Sequence, residues 1–213
     1  QNEKRQGDNQ PYGLVYYAQL ERLFPVGHPY RHSTIGSMGD LGAASMADVQ
    51  SWFKDHYGPN NAVLVLSGDI DVKTAKEKVT RYFGDIPASA TLADMPTNIP
   101  KRDKDTRETV PDRVPQTRVY RAWPVAEIGT SDAVLLDLFS QVLGGSAASR
   151  FDMRLVHGDK IADNAAAYTW SSELAGTFFL MATAKEGVDA ARIEKAMDEE
   201  LQRLLAEGPT AEE

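Results

Sequence analysis

One stretch of the sequence decides the fold: FPVGHPY at residues 24–30, IG at 35–36, YGPNN at 57–61 and GD at 68–69. Each turn residue in it falls where one periodic pattern ends and the next begins. Pro29 restricts His28 to extended conformations, and the glycines at 36, 39 and 42 disfavour a helix interior. We therefore predict a coil over residues 25–44.

A helix, a strand and a second helix are predicted beyond this coil. Ser45 is the expected N-cap of the first helix, with Asp48 as an imperfect capping-box partner. The apolar run at 62–66 is bounded by turn residues, which predicts a strand covered on both faces. Asp71 is the expected N-cap of the second helix.

In this order and spacing, these elements resemble the pitrilysin/insulinase group of zinc peptidases (peptidase family M16), which includes the mitochondrial processing peptidases. Members of that family carry a segment of the form HPY, IG, YxPxNAxLxxxGDxD after their metal site. All of its elements stand here between His28 and Asp71. Their order and spacing together are more specific than any one of them.

The resemblance implies an α+β fold of two similar domains, each a mostly antiparallel sheet with helices packed on it, and both truncated. Residues 1–86 are then the C-terminal part of the first, catalytic domain, and 117–213 the N-terminal part of the second. Residues 87–116 contain five of the eleven prolines and a mixed-charge run at 101–108, which is typical of an exposed interdomain linker. The alternative, a basic patch for nucleic acid, is weakened because acidic residues are interleaved in that run.

The second domain is predicted to open with a strand at 117–124 and a helix capped by Thr130 or Ser131. An antiparallel pair of strands at 161–171 and 176–184 follows, and then a helix from about 189 to 206. Between the first helix and the strands, GGS at 144–146, SRF at 149–151 and RL at 154–155 resemble the family's LGGGxxSRLxxxLR turn and helix.

Glu3 is the one residue to which the resemblance assigns a metal. Family members place a glutamate, their third zinc ligand, on a helix in a pattern like VVxxEhxxxxD, shortly before a proline. Glu3 falls on that glutamate, with Asp8 and Pro11 following it. The alternative interpretation is an exposed glutamate in a frayed first turn.

The family's H-x-x-E-H motif supplies the other two zinc ligands and the general base, and it is absent from this sequence. All four histidines, at 28, 32, 56 and 157, lie outside any such motif. The resemblance places the motif upstream of Glu3. We therefore expect no catalytic residue within the chain.

His28 and His32 are four residues apart, a spacing that joins two imidazoles only on a helix. Because Pro29 favours a loop, we expect His28 to order that loop through hydrogen bonds and His32 to be solvated. A helix is predicted from Pro11 to Phe24, and its tyrosines at 12, 16 and 17 are interpreted as core rather than as an aromatic binding strip.

Arg154 matches an arginine that, with a tyrosine seven residues on, assists substrate binding in catalytically competent members of the family. Ile161, Ala162 and Asp163 stand at and near the tyrosine position, after an apparent insertion at 157–160. We expect either that Arg154 is structural and a second half of the protein closes the site, or that a partner subunit does so.

Composition excludes several other classes. The formal charge of 23 − 31 = −8 argues against a broad nucleic-acid-binding surface. The sequence has no cysteine, which excludes disulfides and thiolate metal sites. No apolar run is long enough to span a membrane, so a soluble protein of either the periplasm or the cytoplasm is expected.

Three functions fit these observations. The first is part of a zinc metalloendopeptidase that cleaves peptides or unfolded polypeptides with zinc-activated water, the chain itself being inactive. The second is a non-catalytic M16-type subunit that binds polypeptide or has a structural role beside a second M16 half or subunit. The third, a generic α/β ligand-binding domain, requires the series of motifs to be coincidental.

Overall fold

The computed structural model describes residues 1–213, which divide into two compact units. The first unit contains Gln1–Ile35 and Pro96–Glu213, and the second contains Gly36–Met95. The predicted domain boundaries at residues 86 and 117 concern a larger molecule and stay a prediction.

Seven α-helices and three β-strands form the chain, joined by short 3₁₀ turns and one π-helical segment at Asp152–Gly158. In chain order they are α1 (Asn2–Asp8), α2 (Val15–Leu23), α3 (Met38–Ala43), α4 (Met46–His56), α5 (Val72–Phe83), β1 (Arg118–Val125), α6 (Ser131–Gly144), β2 (Ala162–Trp170), β3 (Gly176–Ala184) and α7 (Ala190–Glu207). No helix combines the length and the apolar composition needed to cross a membrane.

The first unit is built on one antiparallel sheet with the strand order β1-β3-β2. Both pairings are antiparallel, with Phe179 of β3 opposite Ala122 of β1 and Tyr168 of β2. The predicted antiparallel strand pair is confirmed. So is the α+β class, an antiparallel sheet with helices packed on it.

The core lies between one face of this sheet and helices α6 and α7. Phe178, Leu180 and Ala182 alternate along β3 towards the helices, as expected for a period of two. Side chains of the helices and of the π-helical segment complete the cluster: Leu143, Phe151, Leu155, Ile193 and Met197, each at most 1% exposed. Of the two predicted N-caps of α6, Thr130 is the one observed, because its hydroxyl accepts from the Ala133 N–H.

The second unit contains α3, α4 and α5. The predicted coil over residues 25–44 is wrong at its end, because Met38–Ala43 is helical. Ser37 caps this helix by accepting from the Asp40 N–H at 3.0 Å, and this bond offsets the low helix propensity of the glycines. The predicted capping box of Ser45 and Asp48 is present, and Asp71 caps α5.

The predicted strand at residues 62–66 is wrong for this unit. The segment has no strand pairing, and Val63 and Val65 are 92% and 80% exposed. A strand needs a neighbour to pair its N–H and C=O groups, and residues 36–95 contain no other strand.

Residues 87–116 contain no helix or strand, and the part that belongs to the first unit is anchored to it. The Asn98 N–H donates to the Leu174 carbonyl at 2.9 Å. Arg107 pairs with Glu194 of α7 at 2.7 Å. This part of the chain is therefore attached to the first unit at these two positions.

Candidate functional site

Glu3 lies on α1, where its side chain is exposed and makes no hydrogen bond. The neighbouring residue Lys4 pairs with the other carboxylate of this helix. Its Nζ lies 3.0 Å from the Asp8 carboxylate and 4.1 Å from the centroid of the Tyr17 ring. The hydrogen bond from Lys4 lowers the pKa of Asp8. Glu3 is therefore the free carboxylate of this helix.

No three or more His, Cys, Asp or Glu side chains in the structure come together so that they could hold a metal ion. Catalytic zinc takes three protein ligands and leaves a position for water. Residues 1–213 do not form such a site by themselves, and Glu3 can contribute one ligand.

His28 is buried and its two ring nitrogens are both in use. Nδ1 accepts from the Tyr30 N–H at 3.0 Å, and Nε2 lies 2.8 Å from the Asn98 carbonyl oxygen. Because an amide N–H can only donate, Nδ1 is the acceptor and Nε2 carries the proton. The prediction that His28 orders its loop through hydrogen bonds is confirmed.

The other histidines are dispersed. His32 is exposed, as predicted, while His56 stacks on Trp52 with ring centroids 3.8 Å apart. His157 lies 3.0 Å from the Asp152 carboxylate.

Arg154 lies on the π-helical segment and is surrounded by three carboxylates. Its nitrogens lie 2.6 Å from Asp159, 2.9 Å from Glu199 and 3.4 Å from Glu200. These partners raise the pKa of Arg154, the hydrogen bond to Asp159 most of all. This geometry supports the predicted structural role.

The positions compared with the family's tyrosine lead into β2. Ile161 is 1% exposed in the core, Ala162 is the first residue of β2, and Asp163 is exposed. None of these three side chains can replace the phenolic hydroxyl of the family's tyrosine.

Arg150, in the SRF motif, binds the segment that follows α7. Its side chain is 5% exposed, and it donates to the Glu213 carboxylate through Nε and Nη2, each at 2.8 Å. Nη2 also donates to the Gly208 carbonyl at 2.9 Å. These hydrogen bonds, with those from the Thr210 backbone, lower the pKa of Glu213 to about 2.

This ion pair makes stability depend on pH in acid. Because the folded-state pKa of Glu213 lies below its ordinary value of 4.5, the pair stabilises the fold above pH 4.5, and this stabilisation is lost as the pH falls towards 2. Glu213→Gln is expected to be less stable than the parent at pH 7, with the difference falling steeply below pH 4.5 and vanishing below pH 2. Urea unfolding at a series of pH values measures it. The matched control is Glu212→Gln, and an equal loss in that variant would contradict the assignment.

The sheet face turned away from the core is partly open, and sequence reasoning did not identify it as a site. We define the open face as the residues Arg118, Tyr120, Ala166, Tyr168, Trp170 and Met181. Tyr168 and Trp170 are 39% and 62% exposed, and Tyr168 stacks on Phe179 with centroids 5.1 Å apart. Burial raises the pKa of Tyr168.

The predicted helix from residue 11 begins four residues late, at Val15, and this frees Tyr12 to reach the open face. Tyr12 has a positive φ of 63°, and its ring lies 3.7 Å from the Arg118 guanidinium. The interpretation of the three tyrosines as core is wrong for Tyr16, which is 44% exposed, and for Tyr12, whose ring lies on the open face. No local signal in the sequence joins Tyr12 to a strand more than a hundred positions away.

A family model described as the peptidase M16 inactive domain matches residues 43–213. The chain belongs to this family. The match includes the YGPNN and GD motifs, β1 to β3 and the Arg150 and Arg154 positions, whereas Glu3 lies before it. The resemblance inferred from the sequence is thereby confirmed.

Similar proteins agree with this family membership. The M16 chain is 25% identical to the zinc protease PqqE of Helicobacter pylori over 201 residues, which are 92% of this chain and 45% of that protein. It is similar to the crystal structure of a protease from H. pylori, with a TM-score of 0.84, 25% identity and coverage of 99% of this chain and 52% of that one.

A peptidase M16 inactive domain from Pseudomonas fluorescens shares the fold, with a TM-score of 0.85, 18% identity and coverage of 99% of this chain and 50% of that one. The M16 chain thus spans about half the length of the relatives it matches.

Proposed function

We propose that residues 1–213 are part of a zinc-dependent metalloendopeptidase that hydrolyses peptides or unfolded polypeptides. The observation that carries this proposal is the similarity to a zinc protease along 92% of the chain. Residues 1–86 complete a first, catalytic domain, 87–116 connect the domains, and 117–213 open a second one. The chain alone is inactive, since it holds at most one zinc ligand.

Glu3 is the proposed contribution of this chain to the zinc site. Zinc, when bound, lowers the pKa of a bound water so that hydroxide is available near neutral pH. Glu3 suits the role of ligand because its carboxylate is exposed and has no partner in the chain. The two histidine ligands and the general base come from outside residues 1–213.

The test is a peptidase assay of the whole protein on an unfolded polypeptide before and after exhaustive chelation. We expect cleavage to stop on chelation and to return when zinc is added. Equal cleavage with and without the chelator would contradict the zinc mechanism. Residues 1–213 alone, assayed beside the whole protein, serve as the inactive control.

A second candidate function is a non-catalytic M16-type subunit that binds polypeptide or fills a structural place beside another M16 half or subunit. The observation that favours it is the description of the matching family as an inactive domain. In that case the whole protein, with zinc supplied, binds an unfolded polypeptide without cleaving it.

A further inference from the structure

The open face carries an arginine that has no acidic partner. Arg118 and Arg121 lie three positions apart on β1, so their side chains stand on opposite faces of the sheet. Arg121 pairs with Asp198 of α7, with Nη2 2.9 Å from Oδ2. Arg118 makes no ion pair in the structure. The two arginines therefore share a strand but differ in whether their charge is neutralised.

Neutral groups hold Arg118 in place. Its Nε donates to the Thr183 hydroxyl at 2.8 Å, and its Nη1 to the Tyr120 hydroxyl at 3.2 Å. The guanidinium lies over the Tyr12 ring, an arrangement that attracts the cation and leaves its charge intact. Nη2 has no acceptor within residues 1–213. A planar guanidinium fixed in this way is suited to binding a carboxylate.

Tyr12 is held in an unfavourable backbone conformation to make this contact. A positive φ is a rare conformation for a bulky residue. It is maintained here by two bonds, from the Tyr12 N–H to the Asp112 carboxylate at 2.8 Å and from its hydroxyl to the Gln116 carbonyl at 2.8 Å. Such strain persists only where the surroundings fix it, and it concentrates at sites that bind ligands.

The surroundings of Arg118 favour a peptide as the source of the carboxylate. Tyr120, Ala166 and Met181 form a half-buried apolar floor beside it, against which peptide side chains can pack. Asp112 accepts from the Tyr12 N–H and Asp163 accepts from the Gln116 side chain, and neither forms an ion pair with Arg118.

We propose that Arg118 binds a carboxylate of a peptide that lies on the open face. This inference rests on the proposed function, in which the M16 protein handles polypeptides, and adds a preference for acidic peptides. Arg118 is the binding group, and Tyr12 is a positioning residue that orients the guanidinium.

The test measures the affinity of the whole protein, in chelator so that the probes are not cleaved, for three peptides by isothermal titration calorimetry. The probes are acetyl-AVAEV-amide, its neutral counterpart acetyl-AVAQV-amide, and acetyl-AVAQV with a free C-terminal carboxylate. One charged hydrogen-bonded contact is expected to give about tenfold tighter binding than the neutral peptide. Whichever charged peptide gains affinity identifies the carboxylate as a side chain or a C-terminus.

Arg118→Gln is expected to abolish this preference, and Arg121→Gln, the matched control on the same strand, to retain it. Tyr12→Phe, which loses only the bond to Gln116, is expected to weaken the preference while the neutral peptide binds unchanged. Equal affinities for the three peptides, or a preference that survives in Arg118→Gln, would overturn the proposal. If none of the three binds, the peptide site on the open face is contradicted, while the proposed function is decided separately by the chelation assay.

Discussion

Replacing Glu3 with glutamine is expected to strip zinc from the whole protein and with it the peptidase activity. A neutral amide oxygen is a much poorer zinc ligand than a carboxylate, and even changes to groups that only support a ligand cost 10–100-fold in metal affinity, so losing the ligand should cost at least about a hundredfold. Zinc content per protein, measured by mass spectrometry after dialysis, reports the loss directly.

The matched control for this substitution is Glu21→Gln, which removes an exposed glutamate on α2. We expect this variant to keep its full zinc content. Full zinc occupancy in Glu3→Gln would show that Glu3 is an ordinary surface residue and would end its proposed role as a ligand.

Gly144→Ala is expected to destabilise the first unit by about 3 kcal/mol, the upper end of the range for overpacked sites. A Cβ at this position would lie 2.2 Å from the Ala167 backbone nitrogen and 2.7 Å from the Ala166 carbonyl carbon. Since these are backbone atoms of β2, the end of α6 would have to move away from the sheet. Urea unfolding at neutral pH measures the change in the free energy of unfolding.

Gly7→Ala is the matched control for the effect of adding a methyl group to a helical glycine. A Cβ there would meet nothing within 4 Å, and alanine favours the helix, so stability should stay unchanged or rise by up to about 1 kcal/mol. Similar losses of stability in the two variants would contradict the steric explanation.

Local signals were enough to predict most of the elements of the chain. The caps at Ser45, Asp71 and Asp189 act within three residues of the helix start, and the pair β2 and β3 is joined by a short turn. The order and spacing of the motifs around His28 carried the family resemblance.

The sequence could not predict features that depend on distant neighbours. Residues 62–66 have the composition of a strand, but pairing requires a second strand that this unit lacks. Arg118 gave no signal, because its distinctive environment is created by Tyr12 from another part of the chain. The role of Glu3 came from the family resemblance, and its local surroundings alone give no metal site.

The hydrogen bonds of the FPVGHPY loop have a consequence for the order of folding. His28 bonds a carbonyl 70 positions away at Asn98, and the Tyr30 hydroxyl accepts from the N–H of Leu174, 144 positions away. Contacts of such sequence separation carry a large loop-closure entropy and form slowly. The stretch that identifies the fold in the sequence is therefore expected to be among the last parts of the first unit to reach its final conformation.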